Sequence, residues 1–394
     1  MKIFHISDLH IGKYLHFYNL KDNQIAILDQ IVDKVKKYRP DVLIIAGDIF
    51  DKSIPSAESY TVFDRFLIDL SQIRPSIPVL IIAGNHDSAD RLNYASSFLE
   101  KHNIYISVYP PRKDNEYLKK VVLDDEYGTV NFYLLPFTKP AYVKHLFEEG
   151  RITSYDAAIK ALIERENINY NERNVLVSHQ FYVAGDSVPE TCDSEQVYIS
   201  VGGIDSVDIR AVEKFDYVAL GHLHGAQSIG KKHIRYSGTP LKYSVSEEKH
   251  VKSITMVTIK EKGSDIAIEE IPLNALQDVR SIKGNLREVI GMATDENRHD
   301  FVSITLTDEE ELYKPKDQLE EHYDHILEVK IENSRTKAQL MDTYSEITVL
   351  NPFEAFKQFY LDIQGVPMSD EEEKIMSEVI NSIKEVREDE TDLH

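Results

Sequence analysis

The chain has 394 residues with 45 basic and 67 acidic side chains, a formal net charge of −22 and a mean hydropathy of −0.35. This length predicts two or three domains, and the longest apolar stretches, residues 42–46 and 79–83, are far too short to span a bilayer. The acidic balance argues against a free-standing nucleic-acid binder, so any DNA contact would be local, helped by metal ions, or shared with a partner that supplies positive charge.

The first part of the chain alternates short apolar strands with amphipathic helices. Residues 2–6, 42–46, 79–83, 174–177 and 217–220 are rich in Val, Ile and Leu, and we expect them to be buried strands. Helical spacing of apolar residues predicts helices over residues 22–38 and 56–70. The pattern predicts a layered α/β domain, in which functional sites form at the carboxyl ends of the strands.

A polar cluster follows each of these five strands. The clusters are Asp8-Leu9-His10, Gly47-Asp48, Gly84-Asn85-His86-Asp87, Ser178-His179 and Gly221-His222-Leu223-His224. Their side chains offer oxygen and nitrogen ligands without a thiolate, which favours hard or borderline divalent cations. Two such cations about 4 Å apart would neutralise a phosphate ester and activate a water. A carboxylate is the natural bridge between them, and Asp48 is the best placed candidate.

Each cluster also has a simpler interpretation. Asp-Leu-His is a common tripeptide, and a lone His after a strand is more often a loop residue than a ligand. Gly-Asp often caps the next helix, and Gly84-Asn85 suits a turn. His86-Asp87, however, adds two titrating groups to that turn. Five clusters that all follow apolar segments favour a two-metal site that hydrolyses phosphate esters.

The carboxyl-terminal third predicts two further units. Strands near residues 253–259 and 265–271 would close the first domain near Leu273. Residues 279–331 have a separate αβ pattern, with a helix over residues 285–292 and a strand over residues 301–305. This pattern predicts a small second domain.

Residues 352–394 hold 12 acidic and 4 basic residues and two apolar stripes at helical spacing. A Gly365-Val366-Pro367 break separates the stripes, and Ser369 opens the second helix with a capping box. Two short helices cannot bury both stripes alone, so they dock either on the body of the protein or on another protein. The stripes are Phe353, Phe356, Tyr360 and Ile363, then Ile375, Met376, Val379, Ile380 and Ile383.

The single cysteine, Cys192, excludes an internal disulfide, and its sequence context is that of an incidental loop thiol. No charged-then-apolar leader precedes the first strand. Both observations predict a cytoplasmic protein.

The order of the polar clusters resembles that of the calcineurin-like metallophosphoesterases. Several longer runs are similar to the SbcD family, the nuclease subunits of bacterial SbcCD complexes. The resemblance extends to about residue 260. The runs are Ser7-Asp8-Leu9-His10-Ile11-Gly12, Gly84-Asn85-His86-Asp87-Ser88, Val201-Gly202-Gly203, residues 215–224 and residues 236–244.

The resemblance implies a four-layer α/β/β/α sandwich over residues 1–273, a small α+β DNA-capping domain over residues 279–345, and a helix pair over residues 351–394 that binds an ATPase. It implies one set of ligands for each of two metal ions. The first set is Asp8, His10, Asp48 and His224, and the second is Asp48, Asn85, His179 and His222.

The resemblance also implies roles for residues that do not bind metal. His86 matches the family's catalytic histidine, which protonates the leaving alkoxide or stabilises the transition state. Asp51 and Asp87 would support the ligands from behind, although Asp87 alternatively caps the next helix. Candidates for contact with substrate phosphate, or for plain solvated side chains, are Lys13, His16 and Arg91.

The implied activity is that of a manganese-dependent DNA nuclease, with Mg²⁺ or Fe²⁺ as alternative metals. It would be a duplex 3′-to-5′ exonuclease and a single-strand or hairpin endonuclease in DNA recombination, replication and repair. The implied partners are DNA, an SbcC-like SMC-family ATPase, and a second copy of the chain within a heterotetramer, with no membrane. Residues 56–70 and 92–99 fall where the family dimerises, unless they are intramolecular core.

Two other functions remain open. A phosphodiesterase of nucleotides or cyclic nucleotides would use the same site but would not need the long carboxyl extension. A scaffold that binds DNA ends would need only a structural metal site.

Overall fold

The computed structural model describes residues 1–185, 187–195, 206–334, 353, 356–357, 359–361, 367–369 and 371–377. They form two compact units. The first comprises Met1–Lys283, Arg287–Thr305 and Lys314–Val329, and the second comprises Gly284–Leu286, Leu306–Tyr313 and the described residues from Lys330 onward. Among the described helices, none is long and apolar enough to cross a membrane.

The first of two six-stranded sheets in the described residues combines four strands from residues 2–107 with two from residues 253–272. The four strands from Lys2–Ile6 to Ile104–Ser107 pair in parallel. Ser253–Thr258 pairs antiparallel with Lys2–Ile6, and Ala267–Pro272 pairs antiparallel with Ser253–Thr258. In spatial order the strands are Ala267–Pro272, Ser253–Thr258, Lys2–Ile6, Val42–Ala46, Val79–Ile82 and Ile104–Ser107.

The second sheet also has a parallel centre with antiparallel edges. Its four middle strands, from Ile234–Tyr236 to Gly128–Leu135, pair in parallel, and each edge strand pairs antiparallel. In spatial order the strands are Gln227–Ser228, Ile234–Tyr236, Tyr217–Gly221, Arg173–His179, Gly128–Leu135 and Lys119–Asp125.

The two sheets stack face to face because their strands are apolar on both sides. In the strand Val42–Ala46, Ile44 joins the cluster between the sheets, together with Phe132 and Val177 of the second sheet. Leu43 and Ile45 point the other way, into the core beneath the helices. Successive side chains of a strand face opposite sides, so one short strand contributes to two cores.

Helices cover both outer faces. Lys21–Tyr38 and Ala57–Ser71 pack on the first sheet, and Tyr155–Arg165 packs on the second. Ala57–Ser71 begins at Ser56, whose hydroxyl accepts a hydrogen bond from Ser59 N at 3.1 Å and caps the helix. The four-layer α/β/β/α sandwich predicted for this part of the chain is therefore confirmed.

The other described elements of the first unit are short. Two small strand pairs are Tyr14–Leu15 with Tyr18–Asn19 and Tyr182–Val183 with Val207–Asp208. Short helices, three of them 3₁₀, lie at Ala89–Leu92, Ser96–Glu100, Pro140–Val143, Lys144–Leu146, Ile209–Ala211 and Val245–Glu247.

The region of the predicted second domain contains a three-stranded sheet. Its strands are ordered Val279–Gly284, Phe301–Leu306 and His325–Ile331, with helices Leu286–Gly291 and Pro315–Glu320 between them in sequence. These elements match the predicted helix and strand to within two residues. The domain boundaries at residues 273, 279, 345 and 351 stay predictions, and residues 335–352, which include two of them, lie outside the described chain.

The second unit contains the predicted capping box. Ser369 N donates to Glu372 Oε2 at 2.8 Å, and Glu372 N donates to Ser369 Oγ at 3.4 Å, ahead of the helical residues 371–377. The rest of the predicted helix pair lies largely outside the described residues, including Ile363, Val379, Ile380 and Ile383.

Candidate metal centre

The residues predicted as ligands stand at the carboxyl ends of parallel strands. Asp8 and His10 follow Lys2–Ile6, and Asp48 follows Val42–Ala46. Asn85 follows Val79–Ile82, His179 ends Arg173–His179, and His222 and His224 follow Tyr217–Gly221. Because these strands belong to two stacked sheets, their ends bring polar groups from five segments to one place.

Asp8, His10 and His224 form the first group. One ligand atom from each of these three buried side chains lies within 4.8 Å of the others. Main-chain hydrogen bonds hold the loop: Asp8 N donates to Gly47 O and His10 N to Asp48 O, each at 3.0 Å. The two loops that carry the aspartates are therefore tied side by side.

Asn85, His179 and His222 form the second group. Asn85 Oδ1 lies 3.0 Å from His179 Nε2 and 3.0 Å from His222 Nδ1. His179 Nδ1 lies 2.7 Å from Ala46 O, which can only accept, so this nitrogen carries the hydrogen and Nε2 is left as the coordinating atom. One amide oxygen and two imidazole nitrogens thus converge on a common point.

Asp48 lies between the two groups. Its Oδ2 is 3.7 Å from His10 Nε2 and 3.4 Å from His179 Nε2. Its Oδ1 accepts a hydrogen bond from His86 N at 2.9 Å. The carboxylate is 2% exposed and can reach an ion in either group. This is the placement required of a bridging ligand.

Two divalent ions fit this set of donors. Neither ring nitrogen of His10 has a hydrogen-bond partner among the described residues, although both are buried. Leaving such groups unpaired is costly, and a cation would satisfy one of them. Mixed carboxylate, amide and imidazole donors suit Mn²⁺, Mg²⁺ or Fe²⁺.

Burial and charge keep most of the imidazoles in the form that binds metal. Burial lowers the pKa of His222 to about 3 and holds that of His10 well below its usual value. Burial raises the pKa of Asp8 to about 7. Burial opposes the charge on Asp48 as well, but His179 and the other imidazoles beside it hold its pKa below the usual range.

His179 has the opposite shift. Burial works against its imidazolium, yet the carboxylates of Asp48 and Asp8 raise its pKa to about 9. The carboxylates therefore draw a proton onto this ring when no cation is near. A divalent ion would replace that proton, because metal ligands must be deprotonated.

His86 is half-buried at the edge of the first group, and its ring lies 4.9 Å from that of His10. Its Nδ1 donates to Asp51 O at 2.8 Å, which leaves Nε2 as the atom available to a substrate. A nitrogen of His86 also lies within 4.8 Å of the donors of His10 and Asp48. The ring can therefore act on a group bound at the metals.

Comparison with known proteins agrees with this geometry. Residues 1–226 match the calcineurin-like phosphoesterases, and residues 275–363 match the type 5 capsule protein repressor C-terminal domain. The chain is 30% identical over 389 residues to the SbcD subunit of the nuclease SbcCD from Staphylococcus saprophyticus, covering 98% of this chain and 99% of the relative. It is 32% identical over 330 residues to the SbcD subunit from Staphylococcus epidermidis, covering 83% and 84%.

The chain belongs to the SbcD family of calcineurin-like phosphoesterases.

Solved structures give more distant matches. GAP50, the anchor in the inner membrane complex of Plasmodium, is 12% identical with a TM-score of 0.39, over 70% of this chain and 89% of that one. A dimetal phosphatase from Danio rerio is 14% identical with a TM-score of 0.38, over 69% and 96%.

Two further acidic residues predicted for this SbcD-family site support the ligand loops. Asp51 lies 3.6 Å from His10 Nδ1 and pairs with Lys13 at 2.8 Å. Asp87 accepts hydrogen bonds from Ile49 N, Phe50 N and Gly84 N at 3.1, 3.0 and 2.9 Å. Asp87 therefore joins the loop that carries Asp48 to its own loop.

The three candidates for substrate contact have different settings. Lys13 is half-buried and already paired with Asp51. His16 is exposed in the turn between Tyr14–Leu15 and Tyr18–Asn19, with a φ of 53°. Arg91 is exposed on the short helix Ala89–Leu92 and lines a cleft with Tyr94 and Phe98. Their roles stay predictions.

Sequence reasoning missed two buried residues that shape the first group. Gln24 accepts from Gly12 N at 3.0 Å and donates to His10 O at 2.7 Å. Tyr243 donates to Leu9 O at 2.5 Å, and its ring stands 5.6 Å from that of His10. Gln24 lies inside a helix and Tyr243 lies far along the chain. For Gln24 the available signal was a polar residue on the apolar face of the predicted helix, and for Tyr243 it was its place in the run of residues 236–244 that resembles the SbcD family. Val201-Gly202-Gly203 lies outside the described residues.

Proposed function

We propose that the chain is a manganese-dependent DNA nuclease subunit that works with an SbcC-like SMC-family ATPase. The observation that carries the proposal is the position of Asp48, whose Oδ2 lies 3.7 Å from His10 Nε2 and 3.4 Å from His179 Nε2. A single carboxylate between two sets of donors is what a two-metal hydrolase needs. The names of the two staphylococcal relatives support nuclease activity over other phosphoester hydrolysis.

In this proposal Asp8, His10, Asp48 and His224 hold one ion, and Asp48, Asn85, His179 and His222 hold the other. When bound, the two ions neutralise the phosphodiester and activate a water for attack. The protein positions these donors on rigid strand ends and excludes water from the buried side chains. Mn²⁺ is the proposed metal because the family resemblance implies it, and the mixed imidazole and carboxylate donors suit it as they suit Mg²⁺ or Fe²⁺.

His86 is proposed as the proton donor. Cleavage of a phosphodiester releases a sugar oxygen that needs a proton, and an imidazolium can supply it near neutral pH. The hydrogen bond from Nδ1 to Asp51 O orients Nε2 for this role. Asp51 and Asp87 hold the surrounding loops in place, and Lys13, His16 and Arg91 are proposed to contact DNA phosphates.

The net charge of −22 is the reason for proposing a shared DNA site. An acidic chain repels the phosphate backbone, so an ATPase partner would supply much of the positive surface. The capping domain over residues 279–345 is proposed to cover the DNA. The helices of residues 351–394 are proposed to bind the ATPase through their apolar stripes.

A second copy of the chain is the other proposed partner, within a heterotetramer. A cleft of about 700 Å³ beside the helix Ala57–Ser71 is lined by Phe63, Leu67, Phe98 and Leu99. Tyr94 and Phe98, which also line it, are 84% and 63% exposed. Exposed aromatic residues beside an apolar cleft favour a protein contact at residues 56–70 and 92–99.

The test is cleavage of end-labelled duplex DNA and a DNA hairpin with Mn²⁺, Mg²⁺ or Fe²⁺, with and without the ATPase and ATP. We expect Mn²⁺-dependent removal of nucleotides from the 3′ end and nicking of the hairpin loop, as expected for recombination, replication and repair of DNA in the cytoplasm. A cyclic nucleotide is the competing substrate. Preference for it would overturn the DNA assignment in favour of a small-molecule phosphodiesterase.

A scaffold without catalysis is the remaining alternative. It would bind DNA ends and the ATPase and would leave every phosphodiester intact. The complete donor set and the orientation of His86 favour catalysis.

A further inference from the structure

His224 is held by a network of polar side chains that the proposed chemistry does not use. Its Nδ1 lies 2.6 Å from Ser194 Oγ, which in turn lies 2.6 Å from Glu247 Oε1. Glu247 is fully buried. The three side chains form a continuous chain of hydrogen bonds that begins at a predicted ligand and ends at a carboxylate.

The direction of these hydrogen bonds follows from the chemistry of the groups. A carboxylate only accepts, so the single hydrogen of the Ser194 hydroxyl points to Glu247. Ser194 Oγ must then accept from His224 Nδ1–H. His224 is thereby held in the tautomer whose Nε2 has a free lone pair, and its ring stands beside Asp8 and His10 in the first group.

Glu247 is itself held from several sides. Its Oε2 accepts from Lys252 Nζ at 2.5 Å and Thr239 Oγ1 at 3.2 Å, and its Oε1 accepts from Tyr243 N at 3.1 Å. Lys252 Nζ also donates to His224 O at 3.0 Å. The ion pair of Glu247 and Lys252 therefore contacts both the ring, through Ser194, and the backbone of His224.

The backbone of Gly238 lies very close to the backbone of His224. Gly238 has a φ of +74°, and a Cβ there would lie 2.7 Å from His224 O and 2.8 Å from Ala226 N. The next residue, Thr239, donates its N–H to His224 O at 3.1 Å. A side chain at Gly238 would push the two segments apart and break the network.

Folding stability alone does not explain why this network is present. Burying Glu247 and Lys252 removes two charges from water, and an apolar pair of the same volume is often as stable. His179 and His86 achieve the same tautomer with main-chain carbonyls, Ala46 O and Asp51 O. For His224 the acceptor is a side chain, so substitution can test its role.

We infer that Glu247, acting through Ser194 and held by Lys252, is a positioning residue that orients His224 Nε2 toward the first metal ion. The inference rests on the proposed two-metal function. Partners that orient a ligating histidine typically change metal affinity by about 10- to 100-fold when removed. Ser194→Ala is the cleaner variant, because Glu247→Gln would leave Lys252 buried without its counter-charge.

The test is a calorimetric titration of the full chain with Mn²⁺ alone. We expect two ions to bind the wild type, and Ser194→Ala to weaken one of them by about 10- to 100-fold. Ser194→Thr keeps a hydroxyl and should restore the affinity. Long-range ¹H–¹⁵N spectra of metal-free, ¹⁵N-histidine-labelled protein should give the Nδ1–H tautomer for His224, and a mixture of tautomers in Ser194→Ala.

Ser246→Ala is the matched control. Its hydroxyl accepts from Asp193 N at 3.0 Å and so joins the same two loops at the surface. Unchanged Mn²⁺ affinity in Ser194→Ala would overturn the inference while leaving the proposed function standing. An equal loss in Ser246→Ala would overturn it too, since loosened loops would then explain the effect. Failure of the wild type to bind Mn²⁺ would overturn the inference and the proposed function together.

Discussion

Four of the seven predicted metal ligands adopt a backbone conformation that L-residues rarely use. The φ angles of Asp8, His10, Asp48 and His222 are 54°, 43°, 51° and 106°. Each such residue costs roughly 1–3 kcal/mol and persists only where its surroundings hold it. The hydrogen bonds from Asp8 N and His10 N to the neighbouring loop do this. The unusual turns aim successive side chains at one point, which regular strands cannot do.

Replacing His86 tests the separation of chemistry from metal binding. We expect His86→Ala to reduce DNA cleavage by about 10²- to 10⁴-fold, because the leaving oxygen loses its proton donor. Mn²⁺ binding by calorimetry and DNA binding by fluorescence anisotropy should stay close to wild type. His145→Ala, which removes an exposed imidazole bonded to Arg112 O, is the control. Wild-type cleavage by His86→Ala would disprove the assignment.

The loops after the strands Val42–Ala46 and Val79–Ile82 act as one element because Asp87 joins them. Its carboxylate accepts three main-chain hydrogen bonds, two of them from the loop that carries Asp48. An amide at this position would turn an N–H group toward at least one of those donors. The position of Asp48 relative to Asn85 therefore depends on Asp87.

We expect Asp87→Asn to lower the free energy of unfolding by about 2 kcal/mol, the range for hydrogen bonds to a charged group. Mn²⁺ affinity should fall with it. Urea unfolding and calorimetry measure the two effects. The nearby exposed Asp90, which bonds Tyr109, provides the control variant Asp90→Asn. Unchanged stability and affinity in Asp87→Asn would show that the loops are held by other contacts.

An ion pair between the buried Arg173 and the half-buried Asp125 ties the strands Lys119–Asp125 and Arg173–His179. Arg173 is 2% exposed and contacts both carboxylate oxygens of Asp125, and this contact holds the pKa of Asp125 below its ordinary value of about 3.9. The stabilisation is therefore complete above about pH 4 and is lost as the pH falls below that value.

Asp125→Asn should accordingly destabilise the protein by about 3 kcal/mol near neutral pH. The difference from wild type should stay constant from pH 8 to 5 and shrink below about pH 4. Urea unfolding at a series of pH values measures it. Asp33→Asn, at an exposed ion pair with Lys36, should cost about 0.5 kcal/mol or less. A difference that grows on acidification would contradict the assignment.

At the scale of the whole molecule, the residues predicted to catalyse hydrolysis and the residues predicted to bind the partner lie in different parts of the chain. The predicted metal ligands lie between residues 8 and 224, whereas residues 352–394 carry 12 acidic and 4 basic residues and the predicted docking stripes. Chemistry and partner binding are therefore expected to be separable along the chain.

Removing residues 352–394 should leave Mn²⁺-dependent hydrolysis of an aryl phosphodiester unchanged. It should abolish co-purification with the ATPase and the ATP-dependent DNA cleavage of the complex. The full-length chain, assayed in parallel with both substrates, is the control. An intact DNA activity in the truncated complex would rule out the docking role, and loss of aryl phosphodiester hydrolysis would make the segment part of the catalytic fold.

The identity and order of the elements around the site were predictable from local pattern. The strands at residues 2–6 and 42–46 have the predicted bounds, and the helices differ from their predictions by one residue. Apolar runs buried on both faces leave little ambiguity, and the polar residues after them mark where each strand ends. The edge strand Lys119–Asp125 escaped prediction because exposed and buried residues alternate there without a strong apolar run.

The amino-acid sequence alone determined the types of metal-binding donors and their order after the strands. Through the family resemblance it also indicated the kind of reaction. Only the tertiary structure decided which of these donors lie close to one another. Asp48 stands between His10 and His179, and Glu247 reaches His224 through Ser194, because two stacked sheets and several loops bring together residues that are distant in sequence. The local sequence pattern predicts each strand and where it ends. Which strand ends lie next to one another depends on how the strands pair and how the sheets stack.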